Sequence, residues 1–270
     1  MSLSSPIISS VRLTVYVLLT IALIPAQALA IKVNKRWAKA VPLYYHRLCL
    51  KALRIRVIKR GRISNVEPTL FVANHASYID ISILASLLKA SFVAKNDIER
   101  WPFFGLLARL QRSIFIDRKS RNVNSHVDQM RERLEANDSI IVFPEGTSGD
   151  GNSVIPFKSA LFKTAEIRPH GEALTVQPIS IAYARLDGIA LGRSLRPYYT
   201  WFGKMGLVSH IFKAAGLGRL TVIVEFHPMV TIDDFENRKA LSEWCHQEVT
   251  EGLAEGLAGR PQRKPKMLPA

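Results

Sequence analysis

The chain has 270 residues, 48% of them hydrophobic and 22% charged, which excludes a disordered polymer and leaves room for one sizeable core. A formal net charge of +15 restricts its partners to acidic ones: nucleic acid, an anionic membrane or a phosphate-bearing substrate. The two cysteines, Cys49 and Cys245, form neither a disulfide framework nor a metal pattern.

The charge is unevenly placed. No Asp or Glu precedes Glu67, whereas twelve Lys and Arg residues do, from Arg12 to Arg62. They adjoin the most apolar stretch of the chain, residues 13–31, which carries no charge. At about 1.5 Å per residue this run just reaches the ~30 Å thickness of bilayer hydrocarbon. Pro25 and Gln27 weaken it, so a kinked span and a helix sunk in one leaflet are both open. Basic residues crowd its C-terminal flank, which places the rest of the chain on the cytoplasmic side. A cleaved signal peptide fits less well, because positive charge should lead the apolar run instead of following it. Residues 41–60 mix Leu, Tyr, Arg and Lys as an interfacial amphipathic helix does, and equally as a surface helix packed on a domain does.

Beyond this segment, short β-rich runs alternate with helical ones. Strands are predicted at 55–58, 69–73, 91–94, 114–116, 139–143, 174–182 and 220–226. Helices are predicted at 79–89, 103–110, 123–136, 156–167 and 233–257. Alternation of this kind predicts an α/β domain with a central, largely parallel sheet flanked by helices. The expected organisation is a membrane-associated helical segment at 1–60, a catalytic domain at 61–259 and a basic tail at 260–270. In such a sheet, chemistry gathers where strands end. Three polar clusters fall there: Asn74-His75, Asp117-Arg118 and Glu145-Gly146-Thr147.

His75 leaves a predicted strand, and Asp80 enters the next helix. Across that corner a carboxylate can hold one imidazole nitrogen and leave the other free to take a proton. No Gly-x-Ser-x-Gly elbow supplies a protein nucleophile, since Gly146-Thr147-Ser148-Gly149 misses it by a residue. A base without a nucleophile points to a substrate hydroxyl as the attacking group. The same residues also read as structure, because Ser77-x-x-Asp80 fits a capping box.

Four blocks in order, Asn74-His75-x-x-x-x-Asp80, Phe115-Ile116-Asp117-Arg118, Phe143-Pro144-Glu145-Gly146-Thr147 and Val176-Gln177-Pro178-Ile179, resemble those of the glycerophospholipid acyltransferases. The best-known members of that family are 1-acyl-sn-glycerol-3-phosphate acyltransferases. The resemblance implies His75 as general base and Asp80 as its orienting partner. It implies Arg118 as a ligand for the acceptor's phosphate, and Glu145, Gly146 and Thr147 as the acceptor-binding turn. Lys158 joins them as a second contact for the headgroup. Two departures stand out. Ser148 follows the turn where the family has Arg, and Phe157-Lys158-Ser159-Ala160 ends in Ala where the family has Gly. Residues 156–162, Phe226-His227-Pro228 and 238–241 are similar to the bacterial branch that includes lyso-ornithine lipid acyltransferases, whose acceptor carries a free hydroxyl and no phosphate.

The resemblance therefore implies transfer of a fatty acyl chain from acyl-CoA or acyl carrier protein to a lysolipid hydroxyl. Lysophosphatidic acid leads as acceptor because Arg118 is intact, with lyso-ornithine lipid close behind. No metal, resident cofactor or nucleic-acid partner is expected, and an anionic bacterial inner membrane is the expected surface. A membrane-anchored lipid- or nucleic-acid-binding protein is the alternative of another class.

Overall fold

The computed structural model describes residues 3–116 and 123–261. Two helices open the chain, α1 (Pro6–Val33) and α2 (Lys35–Ala52). They are separated at Asn34, whose side chain accepts hydrogen bonds from Arg36 N and Trp37 N and so caps α2. The α/β domain follows as β1 (Ile55–Arg60), β2 (Thr69–Ala73), α3 (Ile79–Ala85), β3 (Ser91–Lys95), α4 (Asn96–Glu99), α5 (Phe104–Leu110), β4 (Ile114–Ile116), α6 (Val123–Glu135) and β5 (Ile140–Val142). After a 3-10 segment at Ser159–Glu166 come β6 (Thr175–Leu186), β7 (Ile189–Ala190), α7 (Leu207–Ala215), β8 (Leu220–Phe226) and α8 (Arg238–Ala258).

The strands form one sheet in the order β1-β8-β6-β2-β5-β3-β4, with β7 paired to β6. Pairing is parallel except where β6 meets β7 and β8. β1, on the N-terminal side of residue 60, is thus an edge strand of this same sheet. The expected α/β architecture is what the structure shows. Helices α2 and α3 cover one face, where Leu50, Ile83 and Leu84 meet Phe71, Ile181 and Val222. The 3-10 segment and α8 cover the other, where Phe162, Leu241 and Cys245 meet Leu70 and Val176. Each fully buried aliphatic side chain contributes roughly 1.5–3 kcal/mol, so truncating Ile83, which is fully buried, is expected to cost about 2–5 kcal/mol.

Several elements differ from their predicted form. Residues 41–60 are not one interfacial helix: α2 ends at Ala52 and β1 begins at Ile55. One side of α2 buries Leu43, His46 and Leu50 on the domain, and the other exposes Trp37 and Tyr44. The helix predicted at 156–167 is a 3-10 segment, and the one predicted at 79–89 stops at Ala85. Strand β6 runs on to Leu186 because β8 continues to pair with it.

Helix α1 is inverted in polarity. Its buried residues are Ser9, Arg12, Thr20, Gln27 and Ala30, whereas Ile7, Val11, Leu18, Ile21 and Leu29 are exposed. The polar stripe is what ties it down. Arg12 donates to Ala215 O and Leu217 O, Thr20 bonds the Tyr45 hydroxyl, and Gln27 donates to Leu110 O. The helix is long and apolar enough to cross a membrane. Yet its beginning, middle and end are fastened to α7, α2 and α5 of a single domain.

Candidate active site

Register brings the first and third polar clusters together. In the parallel pair of β2 and β5, Val72 lies opposite Val142. His75 and Glu145 each follow three residues later, so both emerge at the same end of the sheet. Gly149 N donates to His75 O at 2.8 Å, closing the two loops on each other.

His75 Nδ1 lies 2.9 Å from Asp80 Oδ2. The same oxygen accepts the backbone N–H groups of Ala76 at 2.7 Å and Ser77 at 2.8 Å. Oδ1 accepts the Tyr183 hydroxyl at 2.6 Å. Asp80 and Tyr183 are fully buried. Because every partner of Asp80 donates, His75 carries its proton on Nδ1 and presents Nε2 as an acceptor. No described residue hydrogen-bonds Nε2, and the imidazole is partly exposed while its carboxylate is not. Phe143 stacks on the ring with centroids 4.2 Å apart, so the plane of the base is held from below as well as from its edge.

The two readings of Asp80 merge here. It accepts Ser77 N, as half of a capping box does, while Ser77 Oγ accepts Ile79 N instead of Asp80 N. The carboxylate that organises the entrance to α3 is also the one that orients His75.

Glu145 is buried, and both its oxygens are occupied. Oε1 accepts His75 N at 2.8 Å and Oε2 accepts Ile155 N at 3.1 Å. Burial pushes its carboxyl up to about 8 against the pull of these two donors. Its observed work is to bind the backbone of the His75 loop to the strand-following segment at 155. Gly146 takes a φ of +73°, which an L side chain rarely adopts. The Lys158 amine lies 2.6 Å from where a Cβ on Gly146 would stand, so the missing side chain makes room for it. Lys158 N also donates to Pro144 O at 3.0 Å. Thr147 is exposed at the tip of the turn. His75, Asp80, Glu145, Gly146 and Lys158 are therefore assembled at one place, with Thr147 at its rim. Asp117 and Arg118 lie outside the described residues.

Of three further contributors, only Tyr183 carries no signal in the sequence. Tyr183 points from β6 at Asp80, three strands' worth of chain away. Phe143 was visible within its block, but not its stacking. Asn74, adjacent to His75, pairs Oδ1 with Ile181 N and Nδ2 with Ile181 O, which locks the end of β2 to β6. No group of metal-ligating side chains occurs among the described residues.

The arrangement is a buffered imidazole with a free nitrogen at the mouth of a parallel sheet, with a lysine amine across the turn. It can take a proton from a hydroxyl and return it to a leaving group. Comparison with known proteins gives the family. The acyltransferase family model matches residues 54–182, which hold all four blocks. The lyso-ornithine lipid O-acyltransferase of Brucella abortus is 38% identical over 248 residues, covering 90% of this chain and 93% of that protein. The 1-acyl-sn-glycerol-3-phosphate acyltransferase of Neisseria gonorrhoeae is 28% identical over 198 residues, covering 72% and 74%. A crystal structure of the 1-acyl-sn-glycerophosphate acyltransferase of Thermotoga maritima shares the fold, with a TM-score of 0.65 over 93% of this chain and 97% of that one at 19% identity. The chain belongs to the acyltransferase family, and it is an acyltransferase of lysolipids.

Proposed function

We propose that this acyltransferase transfers a fatty acyl chain from acyl-CoA or acyl carrier protein to the free hydroxyl of lyso-ornithine lipid, with His75 as general base. The single observation that carries the base is the His75–Asp80 geometry. Nε2 takes the hydroxyl proton as the acceptor oxygen attacks the thioester carbonyl. The carbon–sulfur bond breaks, and the imidazolium returns the proton to the departing thiolate. Asp80 stabilises the imidazolium between these steps. No protein nucleophile is required.

The choice of acceptor rests on the turn and on the relatives. An ornithine headgroup offers one carboxylate and one amine, which asks for less positive charge than a phosphate dianion does. Lys158 stands beside Gly146 to meet a carboxylate. Ser148 occupies the place where the phosphate-binding family has Arg. The 38% identical relative bears the lyso-ornithine lipid name. Lysophosphatidic acid is the second reading, favoured by Arg118 and by the Neisseria relative. Purified enzyme given a labelled acyl donor and each acceptor in turn separates them. At least tenfold higher kcat/KM with lyso-ornithine lipid is expected, and the reverse ranking would overturn the choice.

The membrane reading follows from α1. A helix fastened at both ends to one domain, with its apolar side outward, lies along a bilayer surface with that side in the acyl chains. The domain then sits on the cytoplasmic face of the inner membrane, where thioester donors are made. Carbonate extraction against digestion of intact spheroplasts checks this: retention in the membrane with no externally cleavable segment is expected.

A further inference from the structure

We propose that α7 is a second bilayer-contacting element, which holds the His75 loop against an anionic lipid surface. The proposal rests on the membrane reading of α1 and extends it to a part of the chain that carries no apolar run of comparable length.

The two helices are joined end to end. A nine-residue helix leaves its last carbonyls without partners inside the helix. Here the start of α1 supplies partners. Ser4 Oγ donates to Lys213 O at 2.8 Å, Ser5 N to Gly216 O at 3.1 Å, and the Arg12 guanidinium to Ala215 O at 2.8 Å and Leu217 O at 2.6 Å. A Cβ at Gly216 would stand 2.3 Å from both Ser4 Oγ and Ser9 Oγ, so the contact is as close as two backbones allow. Wherever the first turns of α1 lie, α7 lies beside them.

The outward face of α7 carries two exposed apolar side chains beside Ser209 and Lys213. Val208 is 79% exposed and Phe212, one turn later, is 38% exposed, while His210 and Ala215 face inward. Ile7 and Val11, on the turns of α1 that hold the end of α7, are 78% and 59% exposed. Charge selects the occupant. Between residues 188 and 224 the chain has five Lys and Arg residues and no Asp or Glu, and Lys204 and Lys213 flank the apolar face in solvent. Apolar side chains flanked by two solvent-exposed lysines match anionic headgroups above acyl chains.

The link to chemistry runs through the segment before α7. Trp201 N donates to Ala76 O at 2.8 Å, next to the base. Tyr78 packs edge-on against the rings of Trp201 and His210, and its hydroxyl lies 3.0 Å from His210 Nδ1. A face of α7 set in the bilayer therefore places residues 75–78 at the lipid surface, where an acceptor need only rise a short way to meet Nε2.

A dye on a single cysteine tests this, because Cys49 and Cys245 are fully buried and leave an introduced thiol as the reactive one. Three full-length variants, Leu18→Cys on α1, Phe212→Cys on α7 and Glu243→Cys on the far side of the sheet, are labelled with an environment-sensitive fluorophore. They are mixed with vesicles of phosphatidylglycerol and phosphatidylcholine. A blue shift at 18 and 212, quenched by chain-brominated lipid, with none at 243, is the expected result. A response at 18 without one at 212 overturns the role of α7 and leaves the membrane reading of α1 standing. No response at either overturns both. A response at 212 to acyl carrier protein or to raised protein concentration, absent with vesicles, assigns the face to a protein partner and overturns the lipid. As a second readout, a Val208→Ser/Phe212→Ser variant should lose about tenfold in turnover of vesicle-borne acceptor while keeping turnover of acceptor dispersed in detergent. Equal turnover in both assays would also overturn it.

Discussion

Two histidine–carboxylate clusters flank the same strand, and only one of them has its imidazole partly exposed. On one face of β6, Tyr183 supports Asp80 and His75. On the other, Ser180 Oγ lies 3.1 Å from His227 Nε2, and His227 Nδ1 lies 3.6 Å from Glu248 Oε2. By composition the second cluster is the better match to a hydrolase triad, since it contains a serine. By position it is sealed: all three residues are buried. Gly252 of α8 is packed so closely that a Cβ there would stand 2.5 Å from both His227 Cε1 and Ser180 Oγ. The first cluster has no serine bonded to the imidazole, since Ser77 meets Asp80 through its N–H, but its imidazole is partly exposed. Access, together with a carboxylate surrounded by donors, separates a base from a structural histidine.

Exchanging the two histidines is the strongest way to break this contrast. His75→Ala should lower kcat roughly 10²- to 10⁴-fold with little change in melting temperature. His227→Ala should leave the activity of the folded fraction near wild type while lowering stability by about 2 kcal/mol, through loss of a buried, bonded ring. Parallel acyl-transfer assays and denaturant titrations read both, and the contrast fails if His227→Ala costs as much turnover as His75→Ala.

Glu145→Gln sharpens it next. Each oxygen of Glu145 meets a backbone N–H, so the amide must turn its own NH₂ toward either His75 N or Ile155 N. Above pH 8, where the carboxyl is ionised and both oxygens accept, one bond becomes a donor–donor conflict worth about 1–3 kcal/mol, and the loop that aims His75 is loosened. A fall of about tenfold in kcat accompanied by lower stability is the expected pair. An unstable variant with unchanged kcat would assign Glu145 to folding alone. Gly252→Ala probes the sealed side: the added methyl is expected to destabilise by about 1–3 kcal/mol, seen as a lower denaturation midpoint, with turnover per folded molecule unchanged.

The site was readable wherever its residues are local. His75 and Asp80 lie five positions apart at a strand-to-helix corner, and Glu145 follows a strand whose apolar run, Ile140–Val142, is plain. The α/β alternation was readable for the same reason, since each period is short. What depends on distant packing was not. Tyr183 is one aromatic in an apolar strand, and nothing near it in the chain points toward Asp80. Residues 207–215 carry only a short amphipathic pattern, and their role depends on α1 reaching them from the far end of the chain. The polar stripe of α1 went unnoticed because Arg12, Thr20 and Gln27 look like flaws in a membrane segment until their partners are seen.

The smallest expected effect bears on how the active cluster is tuned. Tyr183→Phe removes one hydroxyl and leaves the ring, so the packing against Ile181 and Val222 persists. Without the donor at Oδ1, the Asp80 charge is less dispersed and more of it faces His75 Nδ1 through Oδ2. The carboxylate is also less firmly held, so the ring it orients is less well aimed. kcat should fall about two- to threefold with KM nearly unchanged, and stability should fall by about 1 kcal/mol. A purely structural tyrosine would lower stability and leave kcat of the folded enzyme at the wild-type value.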